Sequence, residues 1–258
     1  MDATEIGQAV VAQLREIIEA DIANDPRTLQ TALGPSEVGC ACDRCLIRML
    51  AGDKGTEIGV PWLPALGRAV HESFELAVNR HMLAQMDAGV KDFGEEWVTE
   101  GKAEVGHING ELITGHSDVF HKPTGTVVDY KVCGTTTLKK IRADLSGVSL
   151  TYQRQAHMYG RGWARAGYHV RAVAIWFVPR NGFTLSQGRV WAAPYDEQVA
   201  IQALDRATRF KQWIDAFGVD AVLAGAGPHT GDEFSCPKYE DGARPPQELV
   251  GLHPGVTK

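Results

Sequence analysis

The stretch from Glu111 to Val132 constrains the fold of this chain more than any other. Glu111 to Phe120 and Thr126 to Val132 are both strand-like, and only a short His-Lys-Pro-Thr-Gly connection separates them. Two such runs on so short a link are predicted to pair as a hairpin. A third strand-like piece, Glu96 to Val105, precedes them. Beyond them Ser149 to Ala166 has helical character, Val170 to Val178 is an apolar, β-branched strand, and Gly188 to Trp191 reads as a short edge strand.

The flanks are helical. Ile6, Val10, Leu14, Ile17 and Ile18 recur at helical spacing, which predicts an amphipathic helix over residues 4 to 21 with a polar outer face. Residues 23 to 35 read as a connector. Ser36 is placed to cap a second helix reaching about Ala51, with Cys40, Cys42 and Cys45 in its first turns. Pro64 suits the first position of a third helix, along which Leu66, Val70, Phe74, Ala77, Val78 and His81 keep the period. Asp196 begins a last helix running to about Gly218, and the Gly- and Pro-rich tail from Gly225 is expected to lack regular structure. These elements predict an α/β chain of mixed α+β character: a small mixed central sheet flanked by helices, behind a helical N-terminal region. The divisions are residues 1–90, 91–218 and 219–258, most simply within one compact domain.

Charge is unevenly placed. The whole chain carries −6, which at face value points away from nucleic acid. Yet Lys131 to Arg180 contains nine basic residues and the single carboxylate Asp144, a local charge of +8. Phosphate contacts depend on local charge, so a basic face toward a polyanion is compatible with an acidic total. The longest uncharged apolar run, Ala172 to Val178, is too short to span a bilayer. The start, punctuated by Asp2, Glu5 and Arg15, lacks a secretory pattern, so the expected location is a reducing cytoplasm. There the five cysteines serve metal binding or burial rather than disulfides.

The chemistry centres on the hairpin. Asp129 and Lys131 lie two apart on a strand, so both side chains leave the same face. If residues 121 to 124 form the turn, Asp118 falls opposite Val127 on that same face, beside Asp129; a five-residue turn inverts the relation. Two converging carboxylates repel each other, and a divalent cation such as magnesium or manganese keeps both ionised. A lysine beside them would orient a water or stabilise charge building on a phosphoryl group. Taken alone, an Asp-x-Lys pair on a strand reads as an exposed ion pair.

Its company alters that. Gly115-His116-Ser117-Asp118, Asp129-Tyr130-Lys131 and Gln155-Ala156-His157-Met158-Tyr159 resemble, in order and spacing, the sites of the RecB-like branch of the PD-(D/E)xK nuclease superfamily. Gly67-Arg68-Ala69-Val70-His71-Glu72 resembles that branch's upstream histidine motif. Leu33 to Gly39 and Gln155 to Gly162 are similar more narrowly to exonucleases from phages of actinobacteria, relatives of the CRISPR-adaptation nucleases. The resemblance runs from about Gly34 to Pro194 and weakens in both tails.

It implies a restriction-endonuclease-like core and a metal-dependent DNA exonuclease acting in phage recombination, replication or end processing. His71, Asp118 and Asp129 would ligate magnesium or manganese, with the backbone carbonyl of Tyr130, and Lys131 would be the catalytic lysine. Gln155 and Tyr159, four apart on a helix, would share a face and hold DNA or Lys131. Lys139, Lys140, Arg142, Arg154, Arg161 and Arg165 would track the DNA backbone, and Tyr152 and Trp163 could stack unpaired bases. Glu72 and Glu96 are spare carboxylates, and His116 departs from the usual apolar residue before the aspartate. Linear single- or double-stranded DNA is the expected partner, with recombination or replication proteins and self-association as further ones, and no membrane. A structure-specific endonuclease, or a binding component without turnover, are the competing readings.

Cys40, Cys42 and Cys45 form a C-x-C-x2-C run, and Cys236 lies in the tail. Many RecB-like nucleases join their two ends through an iron–sulfur cluster, with one cysteine from the N-terminal side and three from the other; here the proportions are reversed. The resemblance therefore leaves a four-cysteine iron–sulfur cluster, a zinc site, and incidental cysteines at 40 and 45 all open. Cys133, directly after the hairpin, reads as a small buried residue.

Overall fold

The fold is that of a computed structural model, which describes residues 2–25, 32–53, 55–56, 60–89, 96–141, 147–230 and 236–239. Helix α1 (Ala3–Asn24) starts at a capping box, in which the Asp2 carboxylate accepts the Glu5 N–H at 2.9 Å and Glu5 accepts the Asp2 N–H at 2.8 Å. Its expected apolar stripe forms, but Ile6, Val10, Leu14, Ile17 and Ile18 are exposed and only Ile22 is buried. The helix is amphipathic as expected, yet most of its apolar face lies outside the core.

The helix expected from Ser36 to Ala51 is two pieces, α2 (Pro35–Val38) and α3 (Asp43–Leu50). Between them the carbonyls are turned toward side chains instead of a helix ladder. Arg206 Nη1 donates to Cys40 O at 2.7 Å, and Arg154 Nη1 lies 3.4 Å from both Gly39 O and Cys40 O. Cys40 and Cys42 consequently precede helix α3, and Cys45 alone of the three lies within it. Helix α4 (Trp62–Asp87) begins two residues before Pro64, which is tolerated because the first turn has no intrahelical acceptors for its N–H groups.

Five strands make one mixed sheet in the order β1-β2-β3-β4-β5. They are β1 (Trp97–Ile108), β2 (Glu111–His121), β3 (Thr126–Cys133), β4 (Ala172–Pro179) and β5 (Arg189–Pro194). Neighbours are antiparallel except β3 and β4, which are parallel and joined through α5 (Thr135–Lys140) and the longer α6 (Leu150–Arg165). Helices α7 (Glu197–Phe217) and α8 (Val219–Gly225) follow. The helices read from Ser149 and Asp196 start at side-chain caps: Ser149 accepts the Thr151 N–H at 3.1 Å and Asp196 accepts the Gln198 N–H at 2.9 Å. Ser36, expected as a cap, instead lies inside α2, whose N-cap is Gly34.

Helix α4 covers one face of the sheet, where Phe74 stacks on Trp176 and meets Tyr130 edge-on. Helices α6 and α7 cover the other, joining Val105, Phe120, Val127, Ile175 and Leu204 in a continuous core. A mixed sheet between helices, preceded by a helical region, is thus the observed architecture. Of the tail division 219–258, expected to be irregular, Val219–Gly225 is instead helical (α8) and Cys236–Lys238 forms a short 3-10 turn, while residues 231–235 and 240–258 lie outside the described residues. Among the described residues no helix is long and apolar enough to cross a membrane.

The hairpin register differs from the expected one. Residues 122–125 make the turn, so Phe120 pairs with Val127, whereas a 121–124 turn would set Phe120 opposite Gly125 and Asp118 opposite Val127. Gly125 takes the left-handed conformation at φ 62°, and a Cβ there would lie 2.1 Å from His169 O, so this turn excludes a side chain. Continuing the register places Asp118 directly across from Asp129, on one face as expected but closer than the opposition to Val127 implied.

Candidate functional site

The β2–β3 ladder ends at Val119 and Val128, one residue short of the two aspartates. Beyond that point the Asp118 carboxylate replaces the missing strand bond, accepting the Tyr130 N–H through Oδ2. Its other oxygen, Oδ1, lies 3.1 Å from His71 Nδ1 on α4. Asp118 thereby bridges the gap between two strands and the helix above them. The His71 ring rests edge-on against Tyr130, with centroids 5.7 Å apart, which holds the imidazole over the carboxylate.

Lys131 points to the opposite face from Tyr130, toward α6. Its Nζ is 2.8 Å from Asp129 Oδ2 and 5.2 Å from the centre of the Tyr152 ring. Asp129 is buried, and the same Oδ2 has no well-directed hydrogen bond, only the ammonium beside it. A buried carboxylate oxygen in that state retains lone-pair capacity for a further cation. Gln155 and Tyr159 share one face of α6 as expected, with Gln155 Nε2 donating to the Tyr159 hydroxyl at 3.4 Å. All of these side chains except Tyr130 and Tyr152 line one cavity of about 330 Å³, walled further by Gly34, Pro35 and Glu37 of the α2 region and by His116. Gly115 permits this closeness: a Cβ there would come within 2.7 Å of Pro35 Cδ.

Glu100 joins the site without having been anticipated; Glu72 and Glu96, the spare carboxylates singled out from sequence, do not line the cavity. The β1–β2 register pairs Thr99 with Val119 and Gly101 with Ser117, and skips Glu100 opposite Asp118. There Glu100 takes φ 47°, a region that non-glycine residues rarely occupy. The distortion brings its carboxylate to the cavity, where ligand atoms of His71, Glu100 and Asp118 all lie within 4.8 Å of one another. Strain of this kind is held in place by its surroundings and collects at functional sites.

The electrostatics follow from this crowding. Burial pushes the Asp129 carboxyl up and, with the charge of Asp118, outweighs Lys131, raising it to about 6. Burial draws His71 down, but the hydrogen bond and charge of Asp118, with the charge of Asp129, carry it above its ordinary value. Lys131 is also raised, because the two aspartates overcome its desolvation. Burial and the nearby aspartates raise Tyr159, which therefore stays a neutral phenol. Burial together with Asp118 raises Tyr130 to about 12.

Several basic and aromatic residues expected on a DNA track are used internally. Arg161 donates to Val105 O and pairs with Glu197 at 3.2 Å, while Arg154 reaches the carbonyls before α3. Trp163 is a core residue, stacked on Phe120 with its indole N–H on Ser117 Oγ at 2.8 Å, so it offers no face for a base. Tyr152 turns its ring toward Lys131. Lys139, Lys140 and Arg165 are exposed, and Arg142 lies outside the described residues. The linear run of charge did not reveal which arginines would fold inward.

A second group of ligand atoms lies elsewhere. Cys42, Cys45 and Cys236 converge with His229, and the four ligand atoms lie within 4.8 Å of one another. Cys40 is not among the four; its thiol is 3.6 Å from Cys42 O. Burial raises the Cys42 thiol, but hydrogen bonds from the Cys45 and Thr230 backbones and from the Cys45 and Cys236 side chains bring it below its usual value. Cys133 is buried, as expected of a small packing residue, and burial raises its thiol. A larger cleft of about 690 Å³ between α3, α7 and α8 is lined by Ile47, Phe210, Trp213 and Phe217. It contains neither the histidine nor the paired carboxylates, so the smaller cavity is the candidate active site.

No family model matches the chain, and no curated protein matches it. Among solved structures it is similar to the crystal structure of SSO0001, at 12% identity and a TM-score of 0.45, over 83% of this chain and 96% of that one.

Proposed function

We propose that this chain is a metal-dependent DNA exonuclease of the RecB-like PD-(D/E)xK type. The observation that carries the reading is the meeting of His71, Asp118, Asp129 and Lys131, from one helix and two strands, in a single cavity. The donor set fits a hard divalent ion. It offers carboxylate oxygens from Asp118 and Glu100 and the imidazole of His71, all within 4.8 Å of one another, while an under-satisfied buried oxygen of Asp129 lines the same cavity. Bound there, magnesium or manganese would polarise a phosphoryl oxygen and acidify a water. The imidazole in the set tilts the preference toward manganese.

The chain's own groups do the rest. Lys131, kept cationic by the two aspartates, stabilises negative charge building on the scissile phosphate, and the Tyr152 ring beneath it holds its position. Gln155 and the neutral Tyr159 hydroxyl present donors toward the same cavity, suited to a non-bridging phosphate oxygen. His71, paired with Asp118, orients that carboxylate so that one oxygen faces the helix and the other the strand. The exposed Lys139, Lys140 and Arg165 remain available to the DNA backbone. Recombination or replication proteins, and further copies of the chain, are the partners this function would bring.

The test is incubation with manganese and end-labelled single- and double-stranded linear DNA beside a circular control. Loss of linear DNA with the circle intact supports an exonuclease. Nicking of the circle supports an endonuclease of the same chemistry, and the absence of product leaves only binding.

A further inference from the structure

We propose that Cys42, Cys45, His229 and Cys236 hold one structural zinc ion, and that Cys40 is not a ligand. The inference is independent of the nuclease reading. It rests on spacing and donor type. Cys42 Sγ and Cys45 Sγ each lie 3.4 Å from His229 Nδ1, and Cys45 Sγ lies 3.4 Å from Cys236 Sγ. Four donors at 2.0–2.3 Å around one tetrahedral ion are separated from each other by roughly 3.3–3.8 Å. Each thiolate of a cubane iron–sulfur cluster binds a different iron, which spreads the ligands to roughly 6 Å apart. All four ligand atoms here lie within 4.8 Å of one another, a span that closes around a single ion and leaves no room for a cluster.

Three sulfurs and one imidazole in a tetrahedral arrangement are the donor set of structural zinc. The three cysteines are fully buried and none is in a disulfide, so four protein ligands close the site against substrate. The surroundings fix the imidazole, as ligand histidines require. Tyr239 stacks on the His229 ring at 6.1 Å with an interplanar angle of 18°, and its hydroxyl donates to Asp53 O at 3.1 Å. Arg48 lies over the other partner of that stack, 5.2 Å from the Tyr239 ring centre. Thr56 N donates to Lys238 O at 2.7 Å, which sews the Cys236–Lys238 turn to the loop after α3.

The ion would thus clip the tail to the start of α3 across 191 residues of sequence, lowering the entropy of the unfolded chain by closing that loop. The clip sits directly beyond α2, whose Pro35 and Glu37 wall the candidate active site.

Elemental analysis of the full-length purified chain, with its visible spectrum, tests this. The expected result is one equivalent of zinc in colourless protein without inorganic sulfide. Cys40→Ser should keep the zinc, His229→Ala should lose it, and His229→Cys should retain it by restoring a fourth ligand. If a variant fails to fold, cobalt exchanged into the unaltered chain still decides. Intense visible bands of a tetrahedral thiolate site support the proposal, and a pale six-coordinate spectrum overturns it. Brown protein containing iron and sulfide, loss of metal in Cys40→Ser with retention in His229→Ala, or a metal-free wild-type chain would each overturn it.

Discussion

His71 Nδ1 on α4 lies 3.1 Å from Asp118 Oδ1 on β2, a contact between groups 47 positions apart that ties the helical N-terminal region to the sheet. Because β2 and β3 stop pairing at this point, the carboxylate is free to serve the helix and the Tyr130 N–H together. Replacing His71, a proposed ligand, with Ala should weaken manganese binding by at least the roughly 10–100-fold that loss of an outer-shell partner costs, judged by titration calorimetry, with the far-ultraviolet circular dichroism unchanged. Unaltered affinity would remove His71 from the metal site.

Glu100 is held at φ 47° opposite Asp118. Glycine tolerates that conformation, so Glu100→Gly should leave unfolding free energy unchanged or raise it by up to about 1 kcal/mol, while lowering metal affinity and cleavage. Glu100→Gln should reduce affinity without relieving the strain. Denaturant unfolding and calorimetry on the two variants separate these effects. Destabilisation of Glu100→Gly beyond about 1 kcal/mol would mean that the glutamate serves the fold instead.

On the proposed reading, a manganese ion entering this site at low pH would displace protons from it. Asp129 is raised to about 6 and His71 is raised above its ordinary value, so both hold protons that compete with the ion. Affinity should therefore climb as pH rises through about 6 and level off once His71 is neutral. Calorimetry in buffers of different ionisation enthalpy should show proton release that diminishes with rising pH. Constant affinity from pH 5 to 8 would contradict this linkage.

His157 carries a different pH dependence. It is buried on α6, its Nδ1 accepts the Asp196 N–H at 3.2 Å at the start of α7, and burial depresses it despite the charge of Asp196. A depressed folded-state value gives stability that is present above the unfolded value of about 6.5 and lost as pH falls through the folded one. The loss attributable to His157 should approach, but not exceed, about 1.4 kcal/mol per pH unit. Urea unfolding of wild type and His157→Gln between pH 5 and 7.5 gives this by difference. A difference independent of pH would show that His157 titrates as it does in the unfolded chain.

Local signals carried much of the fold. The helices starting at Ser149 and Asp196 were legible as runs, and the hairpin followed from two strand-like runs on a short connection, whereas the cap read at Ser36 fell inside α2. His71, Asp118, Asp129, Lys131, Gln155 and Tyr159 were named from motifs, and the structure brings them to one cavity. Glu100 was missed because its role depends on the β1–β2 register and on a positive φ, neither of which a periodic pattern encodes. His229 was missed because a lone histidine in a Gly- and Pro-rich tail has no local signature; two of its three partners, Cys45 and Cys42, lie 184 and 187 residues away. Arg154 and Arg161 were misplaced for a related reason. Charge along a chain does not say which guanidinium will be needed by a buried carbonyl, and Val105 and the residues before α3 took these two.

The central claim is that Asp129 and Lys131 perform metal-dependent hydrolysis of DNA. Its most direct test is the initial rate of cleavage of end-labelled linear DNA with manganese, for wild type, Asp129→Ala and Lys131→Ala, with DNA binding measured in parallel. The wild type should degrade linear DNA. Lys131→Ala should be slower by at least about 10²–10³-fold, and Asp129→Ala should be inactive, with DNA affinity largely retained in both. Cleavage by the two variants at the wild-type rate would contradict the assignment of this cavity as the active site.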